Sequence, residues 1–258
     1  MAYARLLLLL PLALQLLCST ATTVPATQVE VSPRAAAQVL SECTQPNTIA
    51  LTFDDGPYKY LTQFVDLLDA HGAKGTFFFN GNNYDCIYND KRVKDLQYAY
   101  GRGHQVASHT WHHSDLGKIK NETKMNDEFS RTEEALNKIL GVDVAMTRPP
   151  FGSYNDLTRD VAAKRRQSLI TWDLDTRDAD GASYNYSINE YEKAAKKNLK
   201  NILALNHEPY ETTLNKVIPR ALELFQGKYK FVTVAECLGM EAYHSVGTPS
   251  PRDKSWKC

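Results

Sequence analysis

The chain has 258 residues, enough for one barrel-sized domain with a substantial core. Its 30 Lys and Arg balance its 30 Asp and Glu, so nothing in the charge points to nucleic acid or an anionic membrane as a partner.

At the start, Arg5 precedes the apolar run Leu6 to Leu17, and Ser19-Thr20-Ala21 supplies small residues after it. This is the pattern of a cleaved secretory signal over residues 1–21. The run is short for a membrane span and no second long apolar run follows. The expectation is a secreted protein of the extracellular space or cell wall, monomeric and without a membrane anchor. Residues 22–41, rich in Thr, Ala, Val and Pro, read as a loose leader, and 42–258 as the folded domain.

Cys18 falls within the signal, leaving Cys43, Cys86, Cys237 and Cys258. In an oxidising compartment these suggest two disulfides, with three possible connectivities. Cys43 and Cys237 flank the first and last strands inferred below, which neighbour each other in a closed barrel. That favours Cys43–Cys237 and, by subtraction, Cys86–Cys258. Sequons at Asn121-Glu122-Thr123 and Asn185-Tyr186-Ser187 are compatible with a glycosylated, secreted surface.

From Thr48 onward short apolar runs alternate with helical patterns. Strands are expected at 49–53, 75–79, 105–108, 145–148, 169–174, 202–206 and 231–235, with helices at 61–71, 126–140, 188–199 and 214–225. Gly72, Gly141 and Gly227 follow three of these helices as left-handed caps. The tail 241–258, with Pro249 and Pro251, reads as irregular chain. Repeated βα units imply a parallel sheet, closed or doubly wound. Asp54-Asp55, His109, Arg148, Asp175 to Asp178 and His207 each fall at the C-terminal end of a different strand. A closed sheet brings those ends around one rim, so a distorted (β/α) barrel of seven or eight units is expected, with its active site there.

Asp54-Asp55-Gly56-Pro57 contains turn formers, but a turn does not explain two carboxylates ending the run Ile49 to Phe53. His109 and His113 have the i, i+4 spacing of metal ligands, and His112 competes with His113 on spacing alone. One Asp with two His leaves a catalytic metal open to water, and the second Asp is free to act as a base. Arg148, before Pro149-Pro150-Phe151-Gly152, is placed to pair with Asp54, and the Phe151 N–H to face a developing oxyanion. The run 172–181 holds Asp173, Asp175, Asp178 and Asp180 but lacks the spacing of an EF-hand. One of these acids is suited to orient His207, which ends the run Ile202 to Asn206 as a general acid. Adjacent Asp54 and Asp55 do not suit a glycosidase, whose carboxylates flank the bond at roughly 5 Å or more.

In this order, Thr52-Phe53-Asp54-Asp55-Gly56-Pro57, His109-Thr110-Trp111-His112-His113, Arg148-Pro149-Pro150-Phe151, Asp175-Thr176-Arg177-Asp178 and Leu205-Asn206-His207 resemble the polysaccharide deacetylases of carbohydrate esterase family 4, whose domain is called NodB-like. The resemblance implies a distorted (β/α) barrel with zinc, or cobalt, on Asp55, His109 and His113. It implies Asp54 as base, Arg148 as its tether, His207 as acid, Asp178 as the partner of His207, and the Phe151 N–H as donor. Trp111, Phe151 and Leu205 are the expected apolar walls. Ala179 departs from the aromatic residue that many members carry there. Phe78 to Asn83, Ala235 to Gly239 and Trp256 look most like secreted fungal chitin deacetylases, implying chitin or chitooligosaccharides as substrate. Xylan esterases and peptidoglycan deacetylases share the same elements, and a chitin-binding protein without turnover is the remaining alternative.

Overall fold

Runs that are apolar on both faces fold as the inner strands of a parallel sheet. Thr48–Gly56 (β2) and Gly75–Phe79 (β3) are buried at every position in a computed structural model, which describes Met1 and residues 35–258. The signal, Cys18 and most of the leader lie outside the described residues. The remaining strands are Val39–Leu40 (β1), Gln105–Ser108 (β4), Val142–Val144 (β5), Met146–Thr147 (β6), Ser168–Ile170 (β7), Leu174–Asp175 (β8), Asn201–His207 (β9), Lys230–Phe231 (β10) and Tyr243–Val246 (β11). The helices are Leu61–Ala70 (α1), Asp90–Gly101 (α2), Glu122–Leu140 (α3), Asp156–Lys164 (α4), Tyr184–Lys197 (α5), Ile218–Phe225 (α6) and Val234–Leu238 (α7).

The strand order is β1-β7-β6-β4-β3-β2-β9-β8, all parallel, with β10 alongside the start of β2. β7 and β8 lie near opposite ends of that order, yet only Thr171 to Asp173 separate them in the chain. So short a link forces the sheet to curl upon itself. Among the described residues no ladder joins β1 to β8, so the barrel is distorted and open at that seam.

Side-chain alternation then sorts the strands into two faces. Ile49, Leu51, Phe53, Phe77 and Phe79 pack outward with helical residues such as Phe64, Leu68 and Leu222. Ala50, Phe78, Ala107, Met146, Ile170 and Leu203 fill the interior. Carrying the inward parity toward the strand ends gives Ala50–Thr52–Asp54, Ala107–His109, Met146–Arg148 and Leu203–Leu205–His207. The polar residues at the rim therefore stand above an apolar plug that keeps water out from below.

Several boundaries differ from the sequence expectation. The fold begins before residue 42, because Ala37 is buried and β1 pairs with β7. The expected strand 169–174 is split into β7 and β8. The expected strand 231–235 is only β10, since Thr233 and Glu236 form a reciprocal capping box that starts α7. α2 and α4 were not anticipated, although Asn89 and Asn155 cap them by accepting from backbone N–H groups. α3 starts earlier than expected, at an Asn121 cap. Gly72, Gly141 and Gly227 do adopt left-handed φ values of 64°, 76° and 78°.

The tail is not irregular throughout. β11 pairs antiparallel with β5, and Trp256 is buried against Tyr88. Cys86 is bonded to Cys258 and Cys43 to Cys237, with Cα–Cα separations of 5.9 and 5.0 Å. Asn121 and Asn185 are both exposed. No helix of the described residues is long and apolar enough to cross a membrane.

Candidate active site

Asp54 and Asp55 end β2, and their roles are separated by backbone geometry. Asp54 keeps the inward parity, buried at 2% exposure. Asp55 turns through a φ of 70° and directs its carboxylate toward His109 and His113 instead. Thr110, His113, Phe151 and Arg177 also have positive φ, at 70°, 57°, 59° and 54°. For residues other than glycine this costs of order 1 kcal/mol or more each, and such strain concentrates where a loop is held for function.

One donor atom each from Asp55, His109 and His113 lie within 4.8 Å of one another. Asp55 Oδ1 is 3.1 Å from His113 Nε2 and 3.6 Å from His109 Nε2, yet this buried oxygen accepts no hydrogen bond. A buried acceptor left without a donor is costly unless a ligand completes it. His109 Nδ1 lies 2.7 Å from the Arg148 carbonyl, so Nδ1 carries the proton and Nε2 presents its lone pair. Burial also lowers the His109 pKa, outweighing the nearby Asp54 and Asp55, and keeps the ring neutral as a ligand must be. An acid and two imidazoles with an orphaned oxygen between them fit a zinc-like cation. His112 points elsewhere, toward Glu128, which resolves the choice left by spacing.

Arg148 is fully buried and donates from Nη1 to Asp54 Oδ1 at 2.9 Å and to the Thr52 hydroxyl. Its Nε and Nη2 donate to the carbonyls of Ile170 and Thr171, and its guanidinium lies 4.1 Å from the Phe78 ring centre. The cation is thus spent on fixing Asp54 and the β7–β8 link rather than facing solvent. Asp54 Oδ2 is left 3.7 Å from His109 Nε2, beside the Asp55–His109–His113 cluster.

His207 pairs in register with Asp54 on the neighbouring strand. Its Nδ1 donates to Asp178 Oδ1 at 2.7 Å, and its backbone N–H to Asp178 Oδ2 at 2.9 Å. Thr213 donates to the same Oδ2 at 2.6 Å. Burial pulls the His207 pKa down, but Asp178, Asp54 and Asp55 overcome it and push it up to about 9. Burial raises the Asp178 pKa, and His207 and Thr213 reverse that, so the carboxyl lies below its ordinary value. At neutral pH this is a charged imidazolium on an ionised carboxylate.

The opening is a cleft of about 360 Å³ walled by Phe151, Trp172, Leu205 and Tyr210, with Asp175, Ala179 and Asp180 on one side. Phe151 is 68% exposed and its ring meets that of His113 edge to face, 4.6 Å between centres. Leu205 is one of the residues lining this cleft. Trp111 is not: it is 1% exposed, sits under Gly81 and Tyr88, and carries the Arg131 guanidinium 4.1 Å from its ring centre. Lying between two metal-ligand positions, it turns inward to the core while His109 and His113 face the cleft. Trp172 and Tyr210 take the place assigned to it, and an aromatic residue beside each motif was the available signal.

Glu208 was also missed. It follows His207, is fully buried, and accepts the backbone N–H groups of Tyr58 and Tyr60 at 2.6 and 2.8 Å. It thereby holds the chain just beyond Asp54-Asp55-Gly56-Pro57. Its burial pushes the carboxyl up to about 7 despite those two donors.

A family model described as Polysaccharide deacetylase matches residues 41–167. A chitin deacetylase from Pestalotiopsis sp is 34% identical over 239 residues, covering 90% of this chain and 77% of that protein. The solved chitin deacetylase of the fungal pathogen Colletotrichum lindemuthianum superposes with a TM-score of 0.75 at 26% identity, covering 82% of this chain and 98% of that one. A family 4 pseudoenzyme from Bacillus anthracis shares the fold at a TM-score of 0.68 and 18% identity, over 79% of this chain and 69% of that one. Fold alone therefore does not carry activity, and the site residues must. The strand ends assembled here, together with these matches, make this chain a member of the polysaccharide deacetylase family.

Proposed function

We propose that the protein hydrolyses the N-acetyl groups of chitin or chitooligosaccharides, releasing acetate and leaving glucosamine units. The observation that carries this is a base and a charged acid paired in register on neighbouring strands, at the same strand ends as a donor set suited to a cation. The likeness to proteins named chitin deacetylase supports the choice of substrate.

A zinc ion held by Asp55, His109 and His113 would supply a Lewis acid, acidifying water and polarising a carbonyl. The protein's own groups do the rest. Asp54, fixed by Arg148, accepts a proton from the attacking water as its oxygen joins the acetamide carbon. The Phe151 N–H is assigned to the oxyanion that forms. His207 hands the Nε2 proton to the departing nitrogen as the C–N bond breaks, and Asp178 stabilises the imidazolium until then. An amine leaves poorly unless protonated, and a histidine raised to about 9 is charged at neutral pH to do this. Trp172, Tyr210 and Leu205 wall the acetyl and sugar site, the first two compensating for Ala179.

The two disulfides and the sequence of residues 1–21 support secretion. We assign zinc rather than cobalt as the resident ion, a monomer as the working state, and Asn121 and Asn185 as glycan acceptors. Zinc-loaded enzyme should release acetate from N-acetylglucosamine oligomers faster than from acetylated xylan or peptidoglycan. A reversed order, measured side by side, would move the assignment to that polymer.

A further inference from the structure

We propose that Glu128 is a positioning residue that sets the metal ligand His113, an inference that rests on Asp55, His109 and His113 holding a cation. Glu128 lies on α3 at 5% exposure, away from the cleft. Its Oε2 accepts the backbone N–H of His112 at 2.9 Å. Its Oε1 accepts the Ser114 hydroxyl at 2.8 Å and lies 3.1 Å from His112 Nδ1. One carboxylate thus grips the residues on both sides of His113 and none of His113 itself.

The grip has a mechanical purpose. His113 has a φ of 57°, a conformation that an L-residue other than glycine leaves when it is free to do so. Thr110, earlier in the same loop, is held at 70° although it is β-branched. The neighbouring buried residues Met125, Phe129, Ala135 and Leu136 anchor α3 in the apolar core, so the carboxylate is a fixed point. Without it, the segment from His112 to Ser114 relaxes and the His113 ring moves away from Asp55. The cost appears as looser metal binding, because the site must then be assembled from a mobile ligand.

The test is zinc affinity of the chelator-stripped full chain, read by competition with a chromophoric chelator and without substrate. Glu128→Ala should weaken zinc binding about 10- to 100-fold. Glu128→Gln, which keeps one acceptor oxygen for the His112 N–H, should fall between it and wild type. Wild-type zinc affinity in folded Glu128→Ala overturns the proposal. Should that variant not fold, unchanged affinity in Glu128→Gln overturns it, and a graded loss there supports it. No substrate enters the readout, so failure of acetate release would count against the deacetylase reading and leave this one standing.

Discussion

The two sides of the catalytic opening are built on opposite principles. On the Asp55 side a buried oxygen is left without a donor between two imidazoles, one of them held neutral by burial. On the His207 side both carboxylate oxygens of Asp178 are occupied, by His207 twice, by Thr213 and by Thr176. The first is incomplete until a ligand arrives, whereas the second is complete in the bare protein. A site made to bind a cation keeps lone pairs idle, and a site made to store a proton closes its hydrogen bonds around the charge.

That contrast can be broken with single variants. The largest effects should come from His113→Ala and His207→Ala, which fail differently. His113→Ala should lose tight zinc binding and, with it, turnover. His207→Ala should bind zinc as wild type does while acetate release from N-acetylglucosamine oligomers falls about 100- to 10,000-fold. Its hydrolysis of an activated acetate ester should fall much less, because that leaving group needs no proton. Equal losses on amide and ester would remove His207 from the acid role.

A smaller effect is expected in the pH dependence of stability with the metal stripped. His207 has its pKa raised to about 9, above an ordinary value near 6.5. Its pairing with Asp178 is therefore fully stabilising below the ordinary value and is lost as pH climbs through about 9. Asp178 has a lowered pKa, so its share is present above the ordinary carboxyl value and is lost as acid titrates it below that. The urea midpoint of stripped wild type should fall between pH 7 and 10 more than that of Asp178→Asn. Parallel curves for the two proteins would mean that the pair adds nothing to the fold.

Smallest is the wall. Trp172→Ala should raise KM for the oligomers about 3- to 10-fold, the equivalent of roughly 1 kcal/mol of ring contact. Its kcat should stay near wild type, since no proton or ligand moves. A fall in kcat with KM unchanged would instead tie Trp172 to the Arg148 guanidinium, 5.7 Å from its ring centre.

Much of this was legible in the sequence because strand ends concentrate chemistry on one rim. Asp54, His109, Arg148 and His207 follow apolar runs whose alternation already says which way each points. The disulfide pairing followed from the same topology, since β10 lies beside β2. What resisted reading was whatever depends on the third dimension. Trp111 sits between two metal-ligand positions in sequence, yet the positive φ values of Thr110 and His113 turn the segment so that it faces the core. Glu128 and Glu208 look like ordinary acids of a helix and a loop until their hydrogen-bond partners, 14 to 16 and 148 to 150 residues away, are known. Between β7 and β8, Arg148 donates to the Thr171 carbonyl and Asp173 accepts the Leu203 N–H, pairings that no local propensity encodes.

The most direct measurement is acetate release from N-acetylglucosamine oligomers by chelator-stripped protein, before and after one equivalent of zinc. The account predicts no release before the addition and turnover after it, with His113→Ala silent in both. Zinc bound to a folded protein without acetate release would contradict the deacetylase assignment, and full release from the stripped protein would contradict the metal side of the site.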